Sequence, residues 1–343
     1  MDLVERVWYG RGAGAATARA ALWPFARTYA AVAGVRNRLY DAGMLRAERP
    51  PLPTVSIGNL TVGGTGKTPF AAWLAFGLSQ HAVPAIALRG YGNDEAEVHR
   101  RLNPHIPIVV NADRAAAIRE AKARDADVVV LDDAFQYRRV ARMADVVMLS
   151  AEQLMRPRRM LPAGPWREPL SSARRADLLV VTRKSGSHAD ALRAVEIARL
   201  AAPNVPVASI HLAPRAIVNT ADGTTLPLER LRNAPVVALA AIGEPDAFAA
   251  QLEQLGARVA LTAFRDHHAY TDEEIRAVAA RVPPDGFVLC TLKDAVKLAH
   301  RWPGPGQLWY VSQQLVVERG AEEIDRLLQR VLEARATTTI TAG

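Results

Sequence analysis

One run constrains this chain more than any other: Ser56-Ile-Gly-Asn-Leu-Thr-Val-Gly-Gly-Thr-Gly-Lys-Thr-Pro69. Residues 53–57 read as a short buried strand and residues 68–78 as a helix. Between them Gly63, Gly64 and Gly66 free the backbone to turn successive N–H groups toward an anion. The helix that follows brings its positive dipole end to the same place. Lys67 supplies a mobile cation for β- and γ-phosphates, and the Thr68 hydroxyl is a ligand type for Mg²⁺. Thr61, Val62, Gly63, Gly64, Thr65, Gly66, Lys67 and Thr68 are therefore the expected nucleotide-binding loop. The usual pattern G-x-x-x-x-G-K-[ST] begins with glycine, and this chain has Thr61 there. The plain structural alternative is a glycine-rich turn joining strand to helix. Only five of the 43 basic residues are lysines, so composition does not explain Lys67.

At 343 residues the chain is long enough for about two domains. Half of it is hydrophobic, which excludes global disorder. A net charge of +8 suits an anionic partner: a nucleotide, nucleic acid or an anionic lipid surface. Nucleic acid is the weakest of these, because the arginines are dispersed and no aromatic-basic platform accompanies them. Cys290 is the single cysteine, so there is no internal disulfide; its apolar neighbours make it a buried strand residue. No apolar run reaches the length of a membrane-spanning helix, and the start lacks the shape of a signal peptide.

Residues 1–50 differ from the rest. An apolar stretch over 13–23 is interrupted by Pro24, then Tyr29, Val32, Val35, Leu39 and Tyr40 recur at spacings of three and four among Arg27, Arg36 and Arg38. This reads as two amphipathic helices meeting at Pro24. Aromatics and arginines on such helices suit an anionic membrane surface as well as they suit packing on the protein body.

From Pro51 onward apolar runs alternate with helical patterns: 83–88, 106–110, 128–131, 146–149 and 178–181 read as strands. Continuous apolar strands between helices imply an α/β fold, a P-loop-type doubly wound parallel sheet with ligands at the strands' carboxyl ends. Asp222-Gly223 signals a hairpin within 205–234, and a second alternating unit begins at 236. The expected organisation is an N-terminal amphipathic segment over 1–50, an ATP-binding domain over 51–210, linker strands over 211–235, and a smaller C-terminal α/β domain over 236–335. A partner strand for the linker falls near 312–318.

Three constellations carry further chemistry. Val128-Val-Val-Leu-Asp-Asp133 runs an apolar strand into two carboxylates, and Mg²⁺ beside nucleotide phosphates needs hard oxygen ligands from such a place. Arg89-Gly-Tyr-Gly-Asn-Asp-Glu95 offers Asp94 or Glu95 as a carboxylate to accept a hydroxyl proton. Phe264-Arg-Asp-His-His-Ala-Tyr-Thr-Asp-Glu-Glu274 pairs two imidazoles with a capping box at Thr271 and Glu274; a base-orienting role and a plain loop role fit the histidines equally.

Thr61-Val-Gly-Gly-Thr-Gly-Lys-Thr-Pro69, Arg89-Gly-Tyr-Gly92, Leu131-Asp-Asp-Ala-Phe-Gln136, Leu161-Pro-Ala-Gly-Pro-Trp-Arg-Glu168 and Phe264-Arg-Asp-His-His268 occur in an order that resembles the tetraacyldisaccharide 4'-kinase (lipid A disaccharide kinase) family. Thr291-Leu-Lys-Asp-Ala-Val-Lys-Leu298 is similar to another segment of it, and the family's loop also begins with threonine. The resemblance implies two α/β domains on a two-stranded linker with the active site between them. It implies ATP- and Mg²⁺-dependent phosphorylation of the 4'-hydroxyl of an acylated glucosamine disaccharide 1-phosphate, giving lipid IVA. Lys67 and Thr68 take the phosphate and metal roles in that reading, Asp132, Asp133 and Glu168 are acids near the metal, and Arg114 and Arg167 meet the lipid headgroup phosphate. Asp94 becomes the catalytic base and His267 the residue that orients it. The stretch between Tyr91 and Asp94 is shorter than is usual in the family, and Tyr137 replaces a frequent histidine. The implied location is peripheral, on the cytoplasmic face of the bacterial inner membrane, with no nucleic acid or protein partner. The competing reading is a P-loop NTPase switch or metallochaperone-type protein without a lipid acceptor.

Overall fold

The computed structural model describes residues 3–90, 94–243, 245–266, 268–282, 285–304 and 308–341. The chain divides into two compact units. One comprises Met1–Gly90, Asn103–Ile210 and Val317–Gly343, the other Tyr91–Leu102 and His211–Val316.

The first unit begins with α1 (Leu3–Tyr9) and α2 (Ala13–Asp41). The sequence pattern predicted a break at Pro24, but α2 continues through it for 29 residues. Proline removes one backbone donor. Ala20, whose carbonyl loses that donor, and Pro24 are both on an exposed part of the helix, so the interruption stays local.

The chain then alternates through β1 (Thr54–Asn59), α3 (Lys67–Leu78), β2 (Pro84–Leu88), α4 (Asp94–Leu102), β3 (Ile108–Val110), α5 (Arg114–Ala123), β4 (Val128–Asp132), β5 (Ala144–Ser150), α6 (Ala151–Leu154), β6 (Leu178–Arg183) and α7 (His188–Ala201). The strand order β6-β5-β1-β4-β2-β3 places β1 centrally, parallel to both neighbours. All six β1 residues are buried, as expected for a strand covered on both faces. Ile57 is in register with Asp132, so the loop leaving β1 emerges beside the two acids that end β4. α3 is locked against this sheet by Phe70, Leu74 and Leu78. α5 packs Ile118 and Ala121 among Val129 and Leu131, and α7 packs Ala194 and Val195 among Leu179 and Val181.

β7 (Val207–Asn219) and β12 (Leu308–Arg319) are the two strands whose residues fall in both units. In the second unit the order is β10-β9-β11-β12-β7, built from β9 (Pro235–Ala240), β10 (Arg258–Ala263) and β11 (Phe287–Cys290) with parallel pairing. β8 (Thr225–Leu226) returns on β7 as the hairpin signalled by Asp222-Gly223. Helices α8 (Pro245–Gln254), α9 (Asp272–Ala279) and α10 (Leu292–Leu298) alternate with the strands, and α11 (Ala321–Thr341) closes the chain in the first unit. Cys290 is fully buried on β11. Residues 91–102, between β2 and β3 in sequence, cluster with the second unit because α4 packs on α10.

Leu74 is 1% exposed on the helix that carries Lys67. Leu74→Ala is expected to destabilise the first unit by about 2–5 kcal/mol, read from the denaturant midpoint, because the cavity has little room to collapse.

Candidate active site

The loop over 61–66 turns because Gly63 and Gly66 adopt φ of 105° and 84°, left-handed values that a side chain would strain. Gly66 also caps α3, directing the helix's first N–H groups into the loop. Thr61 needs no such freedom: it is absent from the left-handed region, forms a bridge with Trp166, and its hydroxyl donates to Gln153. That is the physical reason threonine serves where the common pattern has glycine. The rest of the loop is tied from outside. The Val62 N–H donates to Pro165 at 2.7 Å, the Asn59 amide donates to the Thr65 hydroxyl at 2.9 Å, and the Lys184 ammonium donates to the Gly64 carbonyl.

At the mouth of the loop the Thr68 hydroxyl donates to Asp132 at 3.0 Å. Asp133 follows with φ of 51°, a left-handed turn that aspartate tolerates, and the two successive carboxylates take different partners. Asp133 lies 3.6 Å from the Lys67 ammonium and accepts two bonds from Arg167, at 2.9 and 3.3 Å. Burial opposes its charge, but Lys67, Arg167 and Arg114 outweigh that and hold the Asp133 carboxyl well below the usual range. Arg167 also donates to the Asn59 side chain. Arg114, the first residue of α5, is 2% exposed and donates to the carbonyls of Asn111 and Asp132 at 3.0 and 3.3 Å. Burial pushes its guanidinium pKa down, while Asp133 and Asp132 pull it back up. Lys67, Thr68, Asp132, Asp133, Arg114 and Arg167 thus share one strand edge.

Glu168 has other partners. It is 3% exposed, and its Oε2 accepts from Arg175 at 2.8 Å and from Asn37 of α2 at 2.7 Å. Among the described residues no group of three or more His, Cys, Asp or Glu side chains could hold a metal, so Asp132, Asp133 and Glu168 do not form a three-carboxylate cluster. Glu168 instead anchors α2, which Arg138 also grips through the Asn37 carbonyl at 2.9 Å and Asp41 at 2.7 Å.

In the second unit Asp94 opens α4 and is 6% exposed, with Lys297 at 3.2 Å and Lys293 at 3.9 Å. His267 lies outside the described residues. Its neighbour His268 stacks on Phe264 with centroids 4.7 Å apart and meets Glu274, the capping residue of α9, at 2.9 Å.

Sequence reasoning missed Asn59, Gln153 and Lys184 as supports of the loop, and Lys293 and Lys297 as partners of Asp94. Asn59, a polar residue ending an apolar strand, carried a visible signal. Lys293 and Lys297 lie in the 291–298 segment that resemblance singles out, without saying what they touch; Gln153 and Lys184 reach the loop across 91 and 120 positions and carried no signal.

Residues 18–333 match the family described as LpxK, Tetraacyldisaccharide-1-P 4'-kinase. A "Tetraacyldisaccharide 4'-kinase" of Anaeromyxobacter sp. (strain K) is 36% identical, with 97% of each chain covered. One of Anaeromyxobacter sp. (strain Fw109-5) is 35% identical over 100% of each, and one of Chlorobaculum parvum is 33% identical over 92% of this chain and 95% of that one. Among solved structures, the "apo" form LpxK from Aquifex aeolicus in complex with ATP is similar with a TM-score of 0.71 and 28% identity, covering 92% of this chain and 99% of that one.

The Asp133 carboxyl titrates lower when folded than unfolded, so its pairing stabilises the fold above the unfolded value of about 3.9 and is lost as pH falls through the folded value. Asp133→Asn is expected to lower the urea midpoint at neutral pH. The gap from the parent should close as the pH drops below about 4.

Proposed function

The chain belongs to the tetraacyldisaccharide-1-P 4'-kinase family, and from that premise we propose how its residues divide the reaction. It is an ATP-using transferase of lipid A biosynthesis that phosphorylates the 4'-hydroxyl of tetraacyldisaccharide 1-phosphate, giving lipid IVA. A nucleotide-hydrolysing switch without a lipid acceptor is not favoured. The observation that carries the division of roles is the meeting of Lys67-Thr68 with Asp132-Asp133 at one strand edge.

The glycine-loop amides over 61–66 other than those of Val62 and Thr65, which donate to Pro165 and Gly63, and the Lys67 ammonium hold the β- and γ-phosphates. Thr68 and Asp132, hard oxygen donors 3.0 Å apart, fit Mg²⁺, which takes one or two protein oxygens and completes its shell with phosphate and water. When bound, the ion neutralises charge that develops on the phosphate oxygens. Asp133 holds Lys67 and Arg167 in position at this edge, and Glu168 acts on the site through α2 rather than as a ligand. Arg114 and Arg167 receive the headgroup phosphate of the lipid. Asp94 accepts the proton of the 4'-hydroxyl while its oxygen bonds to the γ-phosphorus and the bond to ADP breaks; His267 orients Asp94.

On α2, Phe25, Val32 and Val35 share a face and are 53 to 65% exposed; Trp23, 61% exposed, lies on the opposite flank, and Arg27 and Arg36 are on the same helix. An apolar stripe with flanking arginines suits peripheral attachment to an anionic bilayer, here the cytoplasmic face of the inner membrane. Among the described residues no helix is long and apolar enough to cross one.

Lys67→Ala is expected to abolish phosphate transfer to the disaccharide in an assay with ATP, Mg²⁺ and the acylated acceptor. Asp94→Asn should lower kcat by about 10²–10⁴-fold, the usual span of general-base catalysis. Full activity in either variant would remove that residue from the scheme. Replacing Trp23 and Phe25 together by serine should weaken sedimentation with vesicles containing anionic phospholipid.

A further inference from the structure

The segment Thr291-Leu-Lys-Asp-Ala-Val-Lys-Leu298 has no part in the scheme above. It forms α10 and the residue before it, and its three charged side chains bind neighbouring parts of the second unit. Lys293 and Lys297 are one helical turn apart, so their ammonium groups share a face. On that face Lys297 lies 3.2 Å from Asp94, and Lys293 lies 3.9 Å from Asp94 and 2.8 Å from Asp266. Lys297 also donates to the carbonyl of His268 at 3.4 Å. Between them Asp294, fully buried, accepts from the Tyr270 hydroxyl at 2.9 Å, the Thr291 hydroxyl at 2.7 Å and the Ala241 N–H at 3.2 Å. One short helix therefore ties together the start of α4, the loop over 264–270 and the end of β9.

We propose that Lys293 and Lys297 are positioning residues that keep the Asp94 carboxylate ionised and fixed for proton acceptance. This rests on the reading of Asp94 as the base. A carboxylate with 4% of its side chain exposed favours its neutral form unless cations face it, and a protonated Asp94 cannot take the hydroxyl proton. The ammonium groups supply that charge. They also weaken Asp94 as a base, which phosphoryl transfer tolerates because positioning dominates its rate. A purely structural purpose fits less well. A buried ion pair is seldom more stabilising than apolar side chains of the same volume, so holding α4 on α10 does not by itself call for two lysines. Among the described residues, other charged groups near this node include Asp266 on Lys293, Asp294 between the two lysines in sequence and facing Lys297, His268 with Glu274, and Glu95, Glu97 and His99 of α4 itself.

The test compares Lys293→Met, Lys297→Met, Lys297→Arg and Asp94→Asn in the full chain, with kcat and KM measured for ATP and for the acylated disaccharide phosphate across pH. Lys297→Met is expected to move the acid limb of the kcat profile up by about one pH unit or more, since an opposite charge at this range typically shifts a carboxyl by 1–3 units. Its KM for ATP should stay within about twofold, and Lys293→Met should move the limb the same way. Lys297→Arg should restore the parent profile. An unmoved acid limb in both Met variants, with Asp94→Asn inactive, would overturn the lysine role and leave the base assignment standing. A fully active Asp94→Asn would sink both. Lower thermal stability with an unmoved limb would mark the lysines as structural only and reject the proposal. If a Met variant does not fold, Lys297→Gln is compared with Lys297→Arg on the same criterion.

Discussion

Parallel pairing of β1 with β4 is the constraint on which the first unit depends. Because Ile57 stands in register with Asp132, the glycine loop leaves its strand at the level where the neighbouring strand delivers two carboxylates. A slip of one residue would send Asp132 to the other face of the sheet and separate it from Thr68. The register is secured by burial rather than by any residue of the loop: both strands are buried throughout. The hydrophobic core thus sets the 3.0 Å between the Thr68 hydroxyl and the Asp132 carboxylate.

Electrostatics then decides what that edge can do. Lys67, Arg114 and Arg167 converge on a pair of aspartates, and they hold the Asp133 carboxyl well below its usual range against the opposing effect of burial. Arg167 is held on two sides, by Asp133 and by Asn59, which fixes its planar fork. The loop glycines would be mobile by themselves. Lys184 and Gln153 hold them from outside at the carbonyls of Gly64 and Val62, and Pro165 accepts the Val62 N–H.

What was legible in the sequence was what is local. The loop, the acids ending β4, the capping box at Thr271 and the burial of Cys290 each follow from neighbours within a few positions. Pro24 is tolerated because the bond it removes would have gone to the carbonyl of Ala20, and Ala20 and Pro24 both lie on the exposed side of α2, where that carbonyl is not sealed from solvent. Resemblance gives Glu168 a place near the metal; its bonds to Asn37 and Arg175, 131 and 7 positions away, are announced by no spacing. Of the adjacent histidines, His268 follows physics visible only in space, where an aromatic face and a capping carboxylate fix its ring.

The second unit shows the same division between local and distant information. Residues 91–102 sit in the sequence between two strands of the first unit, yet they cluster with the second. Helix propensity does not account for this, since α4 is short and strongly charged. What distinguishes it is Asp94 at its first position, where the helix dipole favours an anion and two lysines from α10 meet it. Apolar side chains could have joined the two helices without the cost of burying charge. The node nevertheless retains Asp94, two ammonium groups and a buried Asp294–Tyr270 hydrogen bond, so charge and hydrogen bonding, not apolar packing alone, join α4 to α10.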